Sequence, residues 1–469
     1  MNIGAAKKNV TPLTSRNGGM TGRDMQSPSL DNIVEKIVAD NAKSNAVSAI
    51  PTKIEDADAQ APVVMLVQTL LREALRRSAS DIHIEPFEET LAVRFRIDGA
   101  LQEIQQLPVK LAAAIISRLK IMAELDICER RIPQDGCIRL RGQNGEEADF
   151  RISTLPSVFG EKAVMRVLGR NNLNNDLSAM DFPPKQLEIL RDAISKPDGL
   201  VLVTGPTGSG KTTTLYACLT ELNDPARSLF TAEDPVEGTL KGITQVQINT
   251  TVGLSFSTVL RSLLRQDPDI ILVGEIRDKE TIEIAVKAAL TGHLVLSTLH
   301  TNDTAATIQR LLNMGVESYL IASAVNLIVA QRLVRKICEN CKEKEDLDLN
   351  ILEKYDIAVG QFEQCGIYKG KGCKECGNTG YKGRKALYEI MNMSEKLKEL
   401  VLKGASSMEI KKAAREEGMV TLREAGIELI KQGITTLDEV LSKTNNDSNN
   451  NLVNGSGAMH EDAIEQGIL

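Results

Sequence analysis

The stretch that most constrains this chain lies near its middle, at Val201–Thr214, and reads VLVTGPTGSGKTTT. The apolar run Leu200–Val203 is typical of a buried strand, and the residues after the loop predict a helix over Thr213–Leu222. The loop itself has the phosphate-binding pattern G-x-x-x-x-G-K-[ST], in the strand–loop–helix setting that this pattern requires. Its glycines allow backbone N–H groups to point at phosphate oxygens, and the helix N-terminus adds partial positive charge. The stretch therefore predicts a site for a nucleoside triphosphate.

Two side chains of this loop have predicted roles of their own. Lys211 would reach the β- and γ-phosphates, and the Thr212 hydroxyl would be a ligand of Mg²⁺. A surface turn rich in Gly, Ser and Thr is the alternative, and the flanking strand and helix argue against it. The predicted nucleotide-binding residues are Gly205, Pro206, Thr207, Gly208, Ser209, Gly210, Lys211, Thr212 and Thr213.

The composition argues against several classes of protein. With 469 residues the chain is too long for a single core, and roughly three domains are expected. A net charge of −7, an aromatic content of 3% and the absence of Trp argue against a broad nucleic-acid surface. No apolar run approaches the ~18 residues of a membrane span, and no apolar segment follows Lys7 and Lys8 as it would in a secretory signal. A cytoplasmic protein is predicted.

Changes in composition divide the chain into five parts. Residues 1–60 are predicted to be mostly disordered, with one short helix and a linker. An α+β domain is predicted over 61–170, and an Asn- and Pro-containing linker over 171–185. From 186 to 443 helices alternate with apolar strands, which favours an α/β domain with a mostly parallel sheet followed by C-terminal helices. The Asn-rich tail 444–469 is predicted to be disordered.

Two acidic clusters follow predicted strands after the loop. Glu233 lies in a Glu-Asp-Pro sequence in which Pro235 would end the strand, and Glu275 follows the apolar run Ile270–Val273. In open α/β sheets, ligands bind at the carboxyl ends of the strands. Gly274 occupies a position where many phosphate-loop enzymes have Asp, so Glu275 is assigned to Mg²⁺ through water and Glu233 to orienting the attacking water. The alternative is that both are merely polar strand ends.

Two histidines bracket the next predicted strand, Leu294–Thr298. A buried strand that ends in Ser, Thr and His is suited to sensing a γ-phosphate, which makes His300 a candidate site residue. Taken alone, the pattern favours structural histidines at both His293 and His300.

Four of the eight cysteines occur as two C-x-x-C pairs in a short module over 336–384. Four thiolates can close a tetrahedral zinc site, which would be structural because the protein fills every position. A redox dithiol is the alternative for a single pair. The predicted zinc ligands are Cys338, Cys341, Cys373 and Cys376, while Cys128, Cys137, Cys218 and Cys365 have no such spacing.

Taken in order, these motifs resemble the secretion ATPases, the hexameric motors of type II secretion and type IV pilus assembly. The resemblance rests on the phosphate loop, the EDPVE sequence at Glu233–Glu237, the GEIRD sequence at Gly274–Asp278 and the TGHLVLSTLHTND sequence at Thr291–Asp303. It covers roughly Ala61 to Glu439. It implies a RecA-like ATPase domain that uses ATP and Mg²⁺ and contains a zinc module typical of extension motors.

The upstream part resembles the PAS-like N-terminal domain of these motors, through SDIHIEP, RFRIDG, RIPQDG and RISTLP sequences. In such motors, arginines of this domain help to close the nucleotide site, which implies a phosphate contact for Arg151. Arg261 and Arg265 are further candidates. Cys137 departs from the family, which often has Arg after Gln-Asp-Gly, and Arg139 is a possible substitute.

The resemblance implies a homo-hexamer that drives pilin polymerisation through an inner-membrane platform protein, with membrane association only through partners and no direct nucleic-acid contact. A motor of type II secretion or of a competence pseudopilus shares the same motifs. A nucleic-acid translocase and a nucleotide-regulated binding module that barely hydrolyses are alternatives of other classes.

Overall fold

The computed structural model describes residues 62–141, 147–168, 176–346, 362 and 365–445. The helix and linker predicted within residues 1–60, and the tail beyond residue 445, lie outside the described residues. Among the residues that are described, no helix is both long and apolar enough to cross a bilayer.

The upstream unit is a six-stranded antiparallel sheet covered on one face by two helices. Alternation of apolar and polar residues predicts such a sheet, because each strand then buries one side under the helices. Its strands pair in the order β3-β2-β1-β6-β5-β4. The elements are α1 (Pro62–Arg76), β1 (Asp81–Pro86), β2 (Thr90–Ile97), β3 (Ala100–Pro108), α2 (Ala112–Met122), β4 (Gln134–Arg141), β5 (Glu147–Ser157) and β6 (Gly160–Leu168). The predicted α+β architecture is confirmed.

The second unit contains a seven-stranded sheet in the order β15-β12-β7-β11-β10-β8-β9. The first part comprises α3 (Pro184–Ile194), β7 (Gly199–Thr204), α4 (Lys211–Leu222), β8 (Leu229–Glu233), β9 (Thr244–Gln247), α5 (Phe256–Leu263) and β10 (Ile270–Val273). It continues through α6 (Lys279–Leu290), β11 (Leu294–Leu299), α7 (Thr304–Asn313), α8 (Ser318–Ala324) and β12 (Val325–Ile337). The last part comprises β13 (Lys342–Glu345), β14 (Ile367–Gly370), β15 (Tyr381–Asn392), α9 (Glu395–Leu402), α10 (Ser407–Glu416), α11 (Leu422–Lys431) and α12 (Leu437–Lys443).

Strand β7, which carries the phosphate loop, is an inner strand of this sheet, third from the β15 edge. It pairs in parallel with β11 on one side and with β12 on the other, and all six of its residues are buried. A strand buried on both faces needs a continuous apolar sequence, which is why the run at Leu200–Val203 predicted it correctly. The α/β fold is confirmed.

Two long strands, β12 and β15, were not predicted from the sequence. They pair antiparallel along most of their length, and β15 forms the edge of the sheet. β12 contains Gln331, Arg332 and Arg335, which break both the continuous apolar run and the strict alternation by which strands are recognised.

Helix α4 begins at Lys211, two residues before its predicted start. Gly210 precedes it with φ 90°, in the left-handed region that glycine adopts readily. The Lys211 side chain therefore leaves from the first residue of the helix, directly beside the loop.

A candidate nucleotide-binding site

The phosphate loop packs closely against β12, and two of its glycines are required by that approach. A Cβ atom on Gly205 would lie 2.5 Å from the carbonyl oxygen of Gln331, and one on Gly210 would lie 2.9 Å from Nε2 of the same Gln331. The Gln331 side chain also accepts a 2.8 Å hydrogen bond from Thr214 Oγ1 in α4. Gln331 thus fixes the position of the loop from the β12 side, a role that its sequence context did not suggest.

The loop has polar groups that suit an anionic ligand. Ser209 is 3% exposed, and its Oγ is buried without a hydrogen-bond partner among the described residues. Lys211 turns back onto the loop, where Nζ donates to the Gly205 oxygen at 2.8 Å and to the Pro206 oxygen at 3.1 Å. An orphaned hydroxyl and an ammonium held only by loop carbonyls both fit a site that binds phosphate.

Burial lowers the pKa of Lys211 to about 8, while the nearby Glu275 carboxylate acts in the opposite direction. In the free protein this ammonium therefore loses its proton in a range where an exposed lysine stays charged. The unfolded chain then binds more protons than the folded chain between about pH 8 and the ordinary value of 10.5, so this residue makes stability rise with pH over that interval.

We expect nucleotide affinity to fall as the pH rises above about 8, because a neutral Lys211 attracts phosphate less than an ammonium does. If only the charged form binds well, ADP binds about tenfold more weakly near pH 9 than near pH 7. Fluorescence titration of an ADP analogue across this range measures the effect. Lys211→Ala is the control and should show a flat profile over the same range; an equally steep profile in that variant would contradict the assignment.

Glu233 lies at the end of β8 and is 3% exposed. Its carboxylate accepts hydrogen bonds from Tyr216 Oη at 2.5 Å, Thr231 Oγ1 at 2.5 Å and Gln245 Nε2 at 3.1 Å. Tyr216 belongs to α4, so this network ties the helix after the loop to the acidic strand end. The Glu233 carboxylate is thus hydrogen-bonded to three side chains of the protein. Its contact with the attacking water stays a prediction.

Glu275 follows β10 and is close enough to Lys211 to influence its charge. Its oxygens lie 2.6 Å from Arg277 Nη2 and 3.5 Å from His300 Nε2. Burial opposes ionisation of this carboxyl, but hydrogen bonds from His300 and Arg277 lower its pKa to about 2. The structure therefore places Glu275 as an ionised carboxylate beside the phosphate loop. This carboxylate acts on the charge of Lys211 and lies next to His300.

The three arginines suggested by the sequence are all exposed. Arg261 forms an ion pair with Glu280 at 2.7 Å, and Arg265 donates to the Arg261 carbonyl oxygen at 2.8 Å. Arg151 is exposed on β5, opposite Arg166 of β6. Their predicted contacts with phosphate remain predictions.

Arg166 of the upstream sheet, which the sequence analysis did not single out, acts electrostatically on the second unit. Its Nε lies 3.1 Å from Asp81 Oδ1, and its charge acts on Glu237 of the EDPVE sequence. Glu237 in turn interacts electrostatically with Lys211. Arg166 of the upstream sheet therefore adds positive charge near the acidic side of the nucleotide site.

The four cysteines of the two C-x-x-C pairs converge at one point, with their Sγ atoms all within 4.8 Å of one another. The sulfur–sulfur distances are 3.8 Å for Cys338–Cys373, 3.9 Å for Cys341–Cys376 and 3.7 Å for Cys373–Cys376. Zn–S bonds of about 2.3 Å at tetrahedral angles place sulfurs about 3.8 Å apart, so the cluster fits zinc and is too wide for a disulfide. Backbone N–H groups of Gly372 and Gly380 point at two of the sulfurs at 3.3 Å, which suits thiolates.

Comparison with known proteins places this geometry in a family. Residues 56–442 match the family model described as "Type II/IV secretion system protein". The chain is 50% identical over 420 residues to the type IV pilus assembly ATPase PilB of Myxococcus xanthus, covering 89% of this chain and 74% of that protein. It is 46% identical over 389 residues to the type II secretion system protein E of Klebsiella pneumoniae, covering 83% and 77%. It spans only 46% of the length of PilB from Thermus thermophilus.

The fold has solved counterparts. The structure of the pilus retraction motor PilT with bound ADP matches with a TM-score of 0.54 and 26% identity, covering 80% of this chain and 96% of PilT. The Legionella pneumophila ATPase DotB matches with a TM-score of 0.59 at 22% identity, covering 84% and 96%, which supports the fold. The chain belongs to the family of type II/IV secretion system proteins.

Proposed function

We propose that this chain is a Mg²⁺-dependent ATPase motor that drives type IV pilus assembly. The chain is an ATP hydrolase of the secretion ATPase family. One observation supports the proposal most. Lys211 lies on the phosphate loop and interacts electrostatically with Glu275, whose lowered pKa keeps its carboxylate ionised. The pilus assignment is supported by 50% identity to a protein named as a type IV pilus assembly ATPase.

In the proposed mechanism, the loop residues Gly205 to Thr213 hold the phosphates. Lys211 leaves the Gly205 and Pro206 oxygens and turns to the β- and γ-phosphates. Thr212 and Glu275 would hold Mg²⁺, and the ion would supply positive charge opposite the charge on the transferred phosphoryl group. Two carboxylates would complete the mechanism. Glu275 would stay ionised through its contact with His300, and Glu233 would orient the attacking water.

Closing the site would require arginines as well. Arg151, Arg261 and Arg265 are all exposed, so a contact with phosphate would need domain movement or a neighbouring copy of the chain. This is one reason to propose a ring, with six copies as in the resembling motors. We also propose that zinc holds the four-cysteine cluster and that an inner-membrane platform protein is the partner at the cytoplasmic face.

A type II secretion motor is the second candidate, because 46% identity to a type II secretion system protein E is nearly as high. Complementation separates the two. We expect the full chain to restore surface pili in a host lacking its pilus assembly ATPase and to leave secretion unrestored in a host lacking its type II secretion ATPase. Lys211→Ala is the inactive control, and gel filtration with Mg-ATP reports the ring. Rescue of secretion alone would reverse the assignment, and DNA-stimulated hydrolysis would favour a translocase.

A further inference from the structure

A buried arginine lies directly behind the phosphate loop. Arg332 of β12 is 8% exposed, and burial lowers its pKa. Its hydrogen bonds go to carbonyl and amide oxygens, while the carboxylates of Asp303 and Glu389 act on its charge through space. A buried guanidinium held by neutral acceptors is costly to maintain, which suggests that its placement serves the site.

The Arg332 guanidinium makes hydrogen bonds to two segments that are far apart in sequence and lies close to a third. The third is the phosphate loop, which approaches so closely that a Cβ atom added to Gly205 would lie 3.1 Å from Nη1. Its Nη2 donates to both the backbone oxygen and Oδ1 of Asn302, each at 3.0 Å. Its Nε donates to the Lys443 oxygen at 3.3 Å, where α12 ends. One planar group thus spans the phosphate loop, the turn after β11 and the last helix.

We propose that Arg332 is a positioning residue of the nucleotide site that couples the phosphate loop, through the turn at 301–304, to the C-terminal helices. This inference rests on the proposed nucleotide site. Its structural basis is the pair of hydrogen-bonded segments that Arg332 joins beside Gly205, together with two further attachments of the same turn.

Both further attachments join the turn to the C-terminal helices. Asp303 caps α7 through a 2.7 Å bond from the Ala306 N–H and lies 3.6 Å from Lys411 Nζ of α10. Glu389 is 1% exposed and accepts from the Thr304 N–H at 2.9 Å and from the Leu422 N–H of α11 at 3.2 Å. The turn therefore cannot shift without moving groups that hold α10, α11 and the end of α12.

The same turn is joined to the strand that carries the loop. The Thr301 N–H donates to Thr204 Oγ1 at 3.0 Å, and Thr204 is the last residue of β7. When phosphates draw Lys211 away from the Gly205 oxygen, the loop backbone at Gly205 loses one partner while Arg332 remains against it. A rearrangement at Gly205 then displaces the guanidinium, and with it Asn302 and Lys443.

Hydrogen–deuterium exchange of the full chain, with and without a non-hydrolysable ATP analogue and Mg²⁺, tests the coupling. In the wild type we expect the nucleotide to slow exchange at the loop, at 301–306 and at 437–445. Arg332→Gln should bind the analogue about tenfold more weakly, from loss of charge-assisted hydrogen bonds. At saturation it should retain protection of the loop and lose it at 437–445.

A matched control lies on the same strand. Arg335 pairs with Glu439 of α12 at 2.6 Å, so Arg335→Lys perturbs the same helix from a different contact and should keep the nucleotide-dependent change at 437–445. The exposed Asn302 provides a second variant, Asn302→Ala, which should fold normally and reduce that change.

The outcomes separate the inference from the function on which it rests. Wild-type protein that binds the nucleotide without any change at 437–445 overturns the coupling alone. The coupling is also overturned if Arg332→Gln keeps the wild-type change at 437–445, since Arg332 would then be only structural. If Arg332→Gln does not fold, Asn302→Ala is tested in its place, and the same outcome overturns the coupling. Wild-type protein that binds no nucleotide overturns both the coupling and the proposed function.

Discussion

Replacing Glu275 with glutamine is expected to lower ATP turnover by about 10²- to 10⁴-fold while leaving nucleotide binding measurable. The substitution keeps the shape of the side chain and removes the charge that His300 and Arg277 hold ionised. A neutral amide binds Mg²⁺ less well and cannot polarise water. Because the Glu275 carboxylate also raises the pKa of Lys211, the variant should show its loss of affinity at a lower pH than the wild type.

The measurement is steady-state phosphate release together with equilibrium binding of an ATP analogue. Glu283→Gln is the matched control, since Glu283 is an acid of α6 that lies 3.7 Å from Lys279 and has no proposed role at the site. Lys211→Ala should weaken binding and lose turnover, whereas Glu233→Gln should lose turnover if that residue orients the water. Wild-type turnover in Glu275→Gln would remove Glu275 from the mechanism.

Removing the metal from the four-cysteine cluster is expected to unfold the module formed by β13, β14 and the two cysteine turns. Structural zinc contributes apparent binding free energies of about 10–16 kcal/mol in zinc-finger peptides, and this energy is largely folding energy. Here the metal would join the turn at Cys338 to the turn at Cys373, two segments otherwise connected by the four-residue pairing of β13 with β14 and by single backbone hydrogen bonds from Cys338 to Gly380 and from Lys371 to Cys341. We therefore expect one zinc per chain in the purified protein.

A strong chelator, or the paired change Cys373→Ser and Cys376→Ser, should lower the unfolding temperature and expose the module to protease. The exposed Cys137 supplies the control, because Cys137→Ser removes a thiol outside the cluster. Metal analysis and thermal unfolding are the measurements. Protein that holds no zinc and unfolds at the same temperature with and without the paired change would disprove the site.

Some features could be predicted because their signals are local. The phosphate loop is recognised from contiguous residues, since strand, glycines and helix all occur within Val201–Leu222. The cysteine pairs are recognised from spacing, because a thiolate site needs two closely spaced ligands on each side. The upstream α+β domain was predicted for the same reason, because its helices and strands have apolar patterns that are local in the sequence.

Other features required the packed structure. The sequence did not indicate that β12 lies beside β7, because strand order depends on contacts between segments more than one hundred residues apart. It therefore did not single out Gln331 or Arg332, whose polar side chains can act on the nucleotide site only because the loop packs against them. The same is true of Tyr216, which reads as an ordinary core residue of α4 and holds Glu233.

The sequence by itself determined that this chain has a phosphate loop, acids after two strands and a four-cysteine cluster. Tertiary structure decided that Glu275 and Glu237 both act on the charge of Lys211, that Arg261 pairs with Glu280 at the surface, and that the turn at 301–304 is held by the C-terminal helices. The physical reason is that the phosphate loop and the cysteine pairs consist of residues that are close together in the sequence. Their electrostatic environment comes from groups that only the fold brings together.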